Sequence, residues 1–262
     1  MIQPSTILLT SLLVFICCTL PERTHAQVNY GEVTYVATQD VPRLSTGGEA
    51  SPPDKISALL KEMQASGAFD KRYTLTFRPD GYLFRESPAK DRELTDGSTT
   101  VTIVRNQTTP NVYYTDMAAR TYVNSEAIAD RKFLHSGEVL PPEWTIGETV
   151  IAASEATLGF DLKTARAVSP NGDTLVAAFA PALPVPFGPL NYYGLPGAIL
   201  QLDICNVGKC TRYRAVEMKV LFEKPELPVP QEGKKLSGPD FIKEREKYRA
   251  RSGRTTITTY RN

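Results

Sequence analysis

Histidine, cysteine and tryptophan are scarce in this chain, and their scarcity limits the chemistry that it can perform. The 262 residues include two histidines, four cysteines and one tryptophan. A multi-histidine metal centre or a serine–histidine triad is therefore hard to build. The nucleophile-elbow, zinc-protease, P-loop and dinucleotide-binding motifs are also missing from the sequence. The sequence predicts a non-enzymatic protein without a metal or a cofactor, in which His135 is a surface or strand-edge residue.

A strong net charge and a long apolar run are missing as well. The formal net charge is +1 at pH 7, which gives no support for nucleic acid as a partner. The apolar run Ile7–Ile16 stops well short of the roughly twenty residues that a helix needs to cross a bilayer. The sequence therefore predicts no transmembrane span.

Residues 1–26 have the layout of a cleaved signal peptide. Ile7–Ile16 is the apolar core, and Thr24–Ala26 offers small residues at the positions that a signal peptidase reads. Cleavage at this point leaves Gln27 as the new terminus. The residues before the apolar run include no lysine or arginine, which is atypical, and a buried strand or helix is the alternative.

Two adjacent cysteines in this segment raise the further alternative of a lipid anchor. Phe15 and Ile16 precede Cys17 and Cys18, and they are bulky where small residues would be expected. We therefore expect no lipid anchoring. The sequence predicts an exported protein, either periplasmic or secreted.

Export leaves Cys205 and Cys210 as the cysteines of the mature chain. In an oxidising compartment, two cysteines so close in sequence indicate one local disulfide. They bracket Asn206–Lys209, a short loop between two predicted strands, so they can face each other across a hairpin. A structural zinc site is an alternative, but it needs about four ligands. A redox site is another, but its motif has a shorter spacing.

Most of the mature chain has the composition and periodicity of short strands. Val28–Thr38 is rich in β-branched and aromatic residues, and apolar and polar residues alternate over Tyr73–Arg78 and Val216–Phe222. Turn signals between such runs, without helix-length crossovers, favour an antiparallel sheet. Residues 87–98 are charged and predict a projecting loop. The predicted fold class is mainly β with minor α, a curved half-barrel or a sandwich-like sheet.

Two segments have helical features. Residues 51–67 begin with a capping serine and a proline, continue with an apolar stripe at helical spacing and end at Gly67. Residues 240–251 predict a C-terminal helix that begins after Pro239. The sequence therefore divides into three parts: a signal peptide (1–26), a single β-rich domain (27–224), and a proline-rich linker with a terminal helix and a basic tail (225–262).

The stretch 181–200 contains five prolines and three glycines among apolar residues. Because proline has no amide hydrogen, this stretch is unsuited to a helix or to the centre of a sheet. We expect an extended, irregular segment laid against the core. Leu195–Ala198 has proline and glycine at the positions of a type II turn, and a buried strand is predicted to follow it. The turn motif is Gly194, Leu195, Pro196 and Gly197.

Seven short elements between Trp144 and Leu200 occur in a recognisable order. They are Trp144–Ile146, Glu148, Leu158–Phe160, Lys163–Ala165, Pro184–Val185, Phe187–Pro189 and Gly194–Leu200. Together they resemble the GLPGLI family of secreted proteins, which is typical of Bacteroidetes-type bacteria. The family has no established activity, so the resemblance implies no catalytic residues.

Three places depart from the family pattern. Ala198 stands where the family name has leucine, and Leu162 stands where many members have a cysteine. Ala177–Ala180 stands where an Ala-Trp-Tyr-Thr run is usual. These departures put in question any ligand contact that the family makes at those positions.

Aromatic and apolar residues around the prolines form the candidate binding site. We hypothesise that five of them converge on one partly exposed concavity: Trp144, Phe187, Tyr192, Tyr193 and Leu195. The alternative is that they plug one end of the sheet, since apolar clusters usually pack in a core.

Two functions fit a protein of this kind. The first is a binding or carrier module for an unknown apolar ligand, with a curved sheet partly closed by the helix at 51–67. The second is an accessory partner of an outer-membrane or secreted assembly. Its docking surface would be the edge around 188–197, with unpaired backbone groups.

Overall fold

The computed structural model describes residues 28–39, 54–88, 92–96, 99–103, 110–206 and 209–251. Strands account for 51% of the structure and helices for 11%. These proportions confirm the predicted fold class, mainly β with minor α. The predicted signal peptide lies outside the described residues.

Fourteen strands and two helices follow one another along the described ranges. The strands are β1 (Gly31–Gln39), β2 (Lys71–Arg78), β3 (Gly81–Glu86), β4 (Arg92–Asp96), β5 (Thr99–Ile103), β6 (Val112–Asp116), β7 (Thr121–Ile128), β8 (Arg131–Glu138), β9 (Thr145–Ile151), β10 (Leu162–Val168), β11 (Thr174–Ala180), β12 (Ala198–Asn206), β13 (Lys209–Val220) and β14 (Lys234–Ser237). The helices are α1 (Asp54–Ala65) and α2 (Gly238–Arg251).

Twelve of the strands form one sheet, in the order β14-β8-β7-β6-β3-β2-β1-β13-β12-β11-β10-β9. The central strand β1 pairs with β2 on one side and with β13 on the other, antiparallel to both. The chain runs outward from β1 to the β8 edge, restarts at the opposite edge with β9, and returns strand by strand to β13. Among the described pairs, β14 and β8 alone are parallel. The sheet is not closed into a barrel.

Buried and half-buried residues alternate along the strands, and this alternation shows which face of the sheet is buried. On β1, Val33, Tyr35 and Ala37 are buried and the residues between them are half-buried. Directly paired residues share a face, so Leu75 on β2 and Phe84 on β3 continue the row that begins at Val33. We call the face that carries these side chains the inner face.

The sheet curls toward its inner face. The rings of Phe84 on β3 and Tyr213 on β13 have centroids 6.1 Å apart, although two strands lie between them. In a flat sheet, strands three places apart are separated by about 14 Å. Tyr73 on β2 lies between the two rings, stacked on Phe84 at 4.7 Å and tilted against Tyr213 at 5.8 Å. The inner face is therefore concave.

Helix α1 confirms the helix predicted near residues 51–67. Gly67 has a φ of +67°, and the amide of Ala68 donates to the carbonyl of Met63 at 2.8 Å. The helix thus ends at the predicted glycine, through a left-handed C-cap. Met63, which belongs to the predicted apolar stripe, is fully buried. The predicted cap, Ser51, lies outside the described residues.

Residues 221–233 cross the outer face of the sheet, and we call them the outer segment. Ser125 of β7 faces that outer side. It pairs with Val112 on β6, which pairs with Arg85 on β3, and so it does not belong to the row of buried residues on the inner face. Its hydroxyl donates to the carbonyl of Glu232 at 2.8 Å. The chain then forms β14 along β8, so a strand of the sheet comes from the stretch that the sequence predicts to be a linker.

Helix α2 confirms the predicted C-terminal helix and folds back over the inner face at the β8 edge. The Ser237 hydroxyl caps it, accepting from the amide of Asp240 at 3.2 Å and donating to its carboxylate at 2.7 Å. Phe241 is buried, and its ring centroid lies 6.0 Å from that of Phe133 on β8. The helix therefore covers a small apolar cluster at the edge of the sheet.

Strands β4 and β5 form a separate two-stranded hairpin. This corrects the loop predicted over residues 87–98, because β4 occupies Arg92–Asp96. The charged composition favoured a loop, whereas Asp96 followed by Gly97 is a common hairpin signal. The two strands pair antiparallel from Arg92 with Ile103 to Asp96 with Thr99.

The predicted disulfide is confirmed. Cys205 of β12 and Cys210 of β13 are directly opposed, and their sulfur atoms are 2.11 Å apart. The bond fixes the register of the strand that leaves the proline-rich stretch. Within the described ranges, neither helix combines the length and the apolar character that a membrane span requires.

Candidate functional site

Residues 181–197 lie on the concave inner face, and we call them the inner segment. The hydroxyl of Tyr35 on β1 donates to the carbonyl of Ile199, just after the segment, at 2.7 Å. The hydroxyl of Tyr82 on β3 donates to the carbonyl of Tyr192 at 3.3 Å. The Phe187 ring stacks on Phe77 of β2, with centroids 4.3 Å apart. The predicted irregular segment therefore covers the middle of the sheet.

The inner segment satisfies its main chain without regular secondary structure. The amide of Ala198 donates to the carbonyl of Leu183 and the amide of Ile199 to that of Phe187, both at 2.9 Å. Because its five prolines have no amide hydrogen, fewer buried donors need partners. Tyr82 and the indole of Trp144 donate to the carbonyls of Tyr192 and Tyr193. Isolated main-chain bonds and side chain–backbone bonds thus hold the segment in place of a regular ladder.

The turn at the end of the inner segment differs from the predicted type II turn. The amide of Gly197 donates to the carbonyl of Leu195 at 2.8 Å, which is a three-residue turn centred on Pro196. The amide of Ala198 is bonded to Leu183 and so does not close a four-residue turn. Gly197 has a positive φ, as the sequence predicts, but at +154° it is more extended than a type II turn requires.

The link between β8 and β9 spans the two halves of the sheet and contacts the inner segment. The indole of Trp144 donates to the carbonyl of Tyr193 at 2.9 Å, and the Tyr193 hydroxyl donates to that of Val139 at 3.0 Å. A β-carbon built on Gly194 would lie 2.4 Å from a side-chain atom of Pro141. The inner segment is thus fastened to residues 139–144, which join the opposite edges of the sheet.

The structure brings the five predicted site residues to this one region. Phe187, Tyr193 and Leu195 are buried there, as the packing alternative expects. Trp144 and Tyr192 are half-buried and pack against the same core. Their role toward a ligand or a partner stays a prediction.

Tyr192 is half-buried in the inner segment, and its hydroxyl is shifted in pKa. Burial raises its pKa to about 12, the carboxylate of Asp173 adds to the rise, and the guanidinium of Arg245 opposes it. Asp173 precedes β11 in one half of the sheet, and Arg245 belongs to α2 at the opposite edge. Charged groups from both halves of the sheet therefore act on the pKa of Tyr192.

A buried polar cluster on β6, β7 and β8 escaped the sequence prediction. The Glu126 carboxylate accepts a hydrogen bond from the Tyr113 hydroxyl at 3.0 Å and from Nε2 of His135 at 2.8 Å. Burial raises the pKa of Tyr113 well above its usual value, and the nearby Glu126 charge raises it further. The cluster lies on the inner face, since Tyr113 pairs with Phe84 of the core row.

His135 is buried, which corrects its predicted surface or strand-edge position. Its ring stacks on Phe241 of α2, with centroids 3.9 Å apart and planes 7° from parallel. Tyr122 meets it edge-on at 5.6 Å. Helix α2 covers His135, and nothing in the sequence of that helix indicates a contact with β8.

Two amides connect β6 and β7 to the inner segment. Asn124 on β7 donates through Nδ2 to Oδ1 of Asn191 at 2.7 Å. Asn191 in turn donates through Nδ2 to the Thr115 hydroxyl on β6 at 2.9 Å. Asn124 and Thr115 are both buried. The inner segment is therefore tied to the β8 half of the sheet by a polar chain as well as by apolar packing.

The described residues contain no candidate metal site. They include no group of three or more histidine, cysteine, aspartate or glutamate side chains placed to hold a metal ion. An open groove of about 440 Å³ beside β9 and β10 has a different lining: Glu143, Thr145, Arg166, Ala167, Val168 and Thr174. This groove shares no lining residue with the inner segment.

Comparison with known proteins gives no family for this chain. No protein-family model matches it, and no curated protein matches it. A solved structure titled "Structure of PNGF-II in P21 space group" is similar at 12% sequence identity and a TM-score of 0.49. The similarity covers 84% of this chain and 34% of that one, so the chain spans about a third of its length.

Proposed function

We propose that this is an exported, non-enzymatic binding or carrier protein for an apolar ligand, which it holds on the concave face of its open sheet. The proposal is supported by the irregular segment that covers this face. A curved twelve-stranded sheet has its apolar side filled by the inner segment, which forms no strand or helix. Moving this cover aside would break two main-chain hydrogen bonds to β12, from Ala198 and Ile199, but no regular ladder.

The contacts of the inner segment support this reading. Tyr82 and Trp144 donate to carbonyl oxygens of the segment, and Tyr35 donates to that of Ile199, two residues beyond it. When a segment withdraws, hydroxyl and indole donors can bond to water or to the polar end of a ligand. The aromatic rings of the sheet would then face the ligand in place of Phe187 and Leu195. Apolar pockets with a few polar groups are the usual form of small-molecule sites.

Export is proposed on two grounds, the layout of residues 1–26 and the disulfide between Cys205 and Cys210. Structural disulfides persist in oxidising compartments such as the periplasm or the extracellular space. Membership of the GLPGLI family is proposed on the sequence elements between Trp144 and Leu200.

Mass spectrometry of solvent extracts tests the function directly. The protein would be purified from its native envelope without added lipid, and the extract compared with that of an exported control protein. The proposal expects one apolar compound in an amount stoichiometric with the protein. An empty protein that co-purifies with one partner protein would contradict it.

Trp144 provides a second readout, because it is the single tryptophan of the chain and contacts the inner segment. Binding that displaces the segment should shift its fluorescence in a saturable way. Tyr193→Ala should weaken this binding, whereas Tyr248→Ala, at an exposed tyrosine of α2, should not. If Tyr193→Ala lowers the melting temperature but leaves every interaction intact, the residues around it serve packing alone.

An accessory role in a protein assembly is the second candidate, but its predicted docking edge is misplaced. The stretch Gly188–Gly197 lies on the inner face, where half of its residues are buried and only Gly194 and Pro196 are exposed. Strand β9 is a more suitable edge, because six of its seven residues are exposed, including Ile146 and Val150. An extended partner segment can pair with such an edge. Loss of co-purification on Val150→Lys, with folding unchanged, would favour this candidate.

A further inference from the structure

We propose that the outer face of the sheet carries a second binding site, which takes a small monocarboxylate with an apolar body. The site is an open cavity of about 300 Å³ between the sheet and the outer segment. Small-molecule sites have volumes of about 300–1,000 Å³, so this cavity suits a small ligand. It lies on the face opposite to the inner segment and is therefore independent of the proposed carrier function.

Neighbouring strands of the sheet supply the floor of this cavity. Arg85 on β3 pairs with Val112 on β6, which pairs with Ser125 on β7, so the three residues form one row across the outer face. Ser125 is opposed in turn by Leu134 on β8. Lys132, two positions earlier on that strand, lies on the same face. The topology thus brings two cationic side chains, from β3 and β8, to one cavity.

The outer segment forms the roof of the cavity with Pro228–Glu232. The Ser125 hydroxyl holds this roof, because it donates to the carbonyl of Glu232 at 2.8 Å. Three prolines and two valines line the cavity beside the charged groups: Pro110, Pro228, Pro230, Val112 and Val229. Their side chains have no hydrogen-bonding groups, so a ligand needs an apolar body to fill the space between them.

The charged groups of the lining favour a ligand with one negative charge. Arg85 and Lys132 contribute two positive charges and Glu232 contributes one negative charge, which leaves a net charge of +1. Among the ion pairs between described residues, none involves Arg85. A guanidinium group binds a carboxylate through two parallel hydrogen bonds. A monocarboxylate therefore matches Arg85 in geometry and neutralises the lining.

Lys132 contributes its positive charge from a half-buried position. Its ammonium group donates to the carbonyl of Pro110, which immediately precedes the row on β6. Burial lowers the pKa of Lys132, and nearby carboxylates, Glu86 foremost, oppose that shift. Glu86 is itself paired with Lys71 at 2.9 Å. Charge interactions are screened less where water is partly displaced, so this ammonium attracts an anion more strongly than an exposed lysine would.

The experiment titrates hexanoate and hexylamine into the isotope-labelled exported protein and follows its backbone amides by NMR. The two probes have the same chain length, but at neutral pH the first is an anion and the second a cation. Hexanoate should shift the amides of Ser125 and Gln231 saturably, with a Kd on the order of 1 mM for a ligand of this size. Hexylamine should bind at least about tenfold more weakly, because the cationic side chains repel its ammonium group.

Reversal of the charge at Arg85 tests whether charge recognition, and not apolar contact alone, determines binding. Arg85→Glu should weaken hexanoate binding about tenfold or more and should remove or reverse the preference over hexylamine. Because Arg85 is exposed, the substitution should leave folding intact. The matched control is Arg131→Glu, which changes the net charge equally. Arg131 is exposed and precedes Lys132 on β8, so its side chain lies on the opposite face.

The outcomes separate the outer site from the inner face. A preference for hexanoate that Arg85→Glu removes and Arg131→Glu retains supports the site. The proposal is overturned by the absence of saturable shifts, by equal binding of the two probes, by a preference that survives Arg85→Glu, or by shifts confined to the inner segment. The carrier function is tested by the extraction of an apolar compound, so failure of the outer site leaves that function standing.

Discussion

Two proline-rich segments cross this sheet, one on each face, and they differ in what holds them. The inner segment has five prolines in 181–197, and the outer segment has three in 221–233. On the inner face, buried Phe187, Tyr193 and Leu195 face a wall of aromatic side chains. The outer segment buries Leu227 and leaves Phe222 97% exposed. The side chains between the prolines, and not the prolines themselves, decide which face a segment covers.

The two segments also end differently. The inner segment ends in the turn at Gly197, which leads directly into the central part of the sheet at β12. The outer segment ends at Gly233, after which β14 extends the β8 edge. We therefore expect changes in the inner segment to disturb the whole sheet, and changes in the outer segment to disturb the edge and α2.

The largest effect is expected for Gly197→Val. A β-carbon at this position would lie 2.2 Å from the carbonyl oxygen of Ala180, and the φ of +154° adds strain. Backbone cannot yield as a flexible side chain does, so we expect a loss of about 4 kcal/mol or more in the free energy of unfolding. Urea denaturation measures it.

Two control variants separate the effect of the steric clash from the effect of the positive φ. Gly172→Ala has a positive φ but open space around the new β-carbon, so it should cost only about 1 kcal/mol. Gly194→Ala meets a side-chain atom of Pro141 and should lie between the two. If Gly194→Ala destabilised the protein more than Gly197→Val, the account of this turn would be wrong.

The next effect compares the segments at their buried side chains. Phe187→Ala removes a ring that stacks on Phe77, and truncation of a buried phenylalanine costs about 3–5 kcal/mol. Leu227→Ala, in the outer segment, should cost less, about 2 kcal/mol, because fewer apolar groups surround it. Thermal unfolding followed by circular dichroism ranks the two. Equal losses would mean that the outer segment is as deeply packed as the inner one.

Local sequence patterns predict much of this fold. The strand-favouring composition of β1, the alternation on β2, the glycine that ends α1 and the spacing of Cys205 and Cys210 each depend on a few neighbouring residues, so the sequence displays them. The order of the strands in the sheet is also largely predictable, since strands that follow one another in the chain are mostly neighbours in the sheet. Antiparallel pairing of successive strands is the ordinary outcome of short turns.

Contacts between distant parts of the chain were beyond the reach of these patterns. His135 is buried because Phe241, far along the chain, stacks on it. The turn at Gly197 differs from type II because the amide of Ala198 donates its hydrogen bond to the carbonyl of Leu183. Strand β14 has few strand-favouring residues and forms because the edge of β8 is available to it. Each of these depends on a partner that local sequence does not specify.

A smaller loss is expected when the disulfide is removed. The bond joins β12, the strand that follows the inner segment, to β13. The loop that it closes is short, so Cys205→Ser with Cys210→Ser should lower the free energy of unfolding by about 2 kcal/mol. Intact mass with and without reductant and alkylation first establishes that the bond is present in the exported protein. Two free thiols there would contradict the assignment.

The smallest effects concern single hydrogen bonds to the two segments. Tyr35→Phe removes a hydroxyl that donates to the carbonyl of Ile199 at 2.7 Å, fully buried beside the inner segment. Ser125→Ala removes a hydroxyl that donates to the carbonyl of Glu232, in the outer segment, at 2.8 Å. A carbonyl left unpaired in the core loses its partner without gaining water, so Tyr35→Phe should cost about 1–2 kcal/mol. The Glu232 carbonyl belongs to an exposed residue that water can reach, so Ser125→Ala should cost about 0.5 kcal/mol. Urea denaturation of both variants tests the difference between the faces, and a larger loss for Ser125→Ala would reverse the ranking of the two segments.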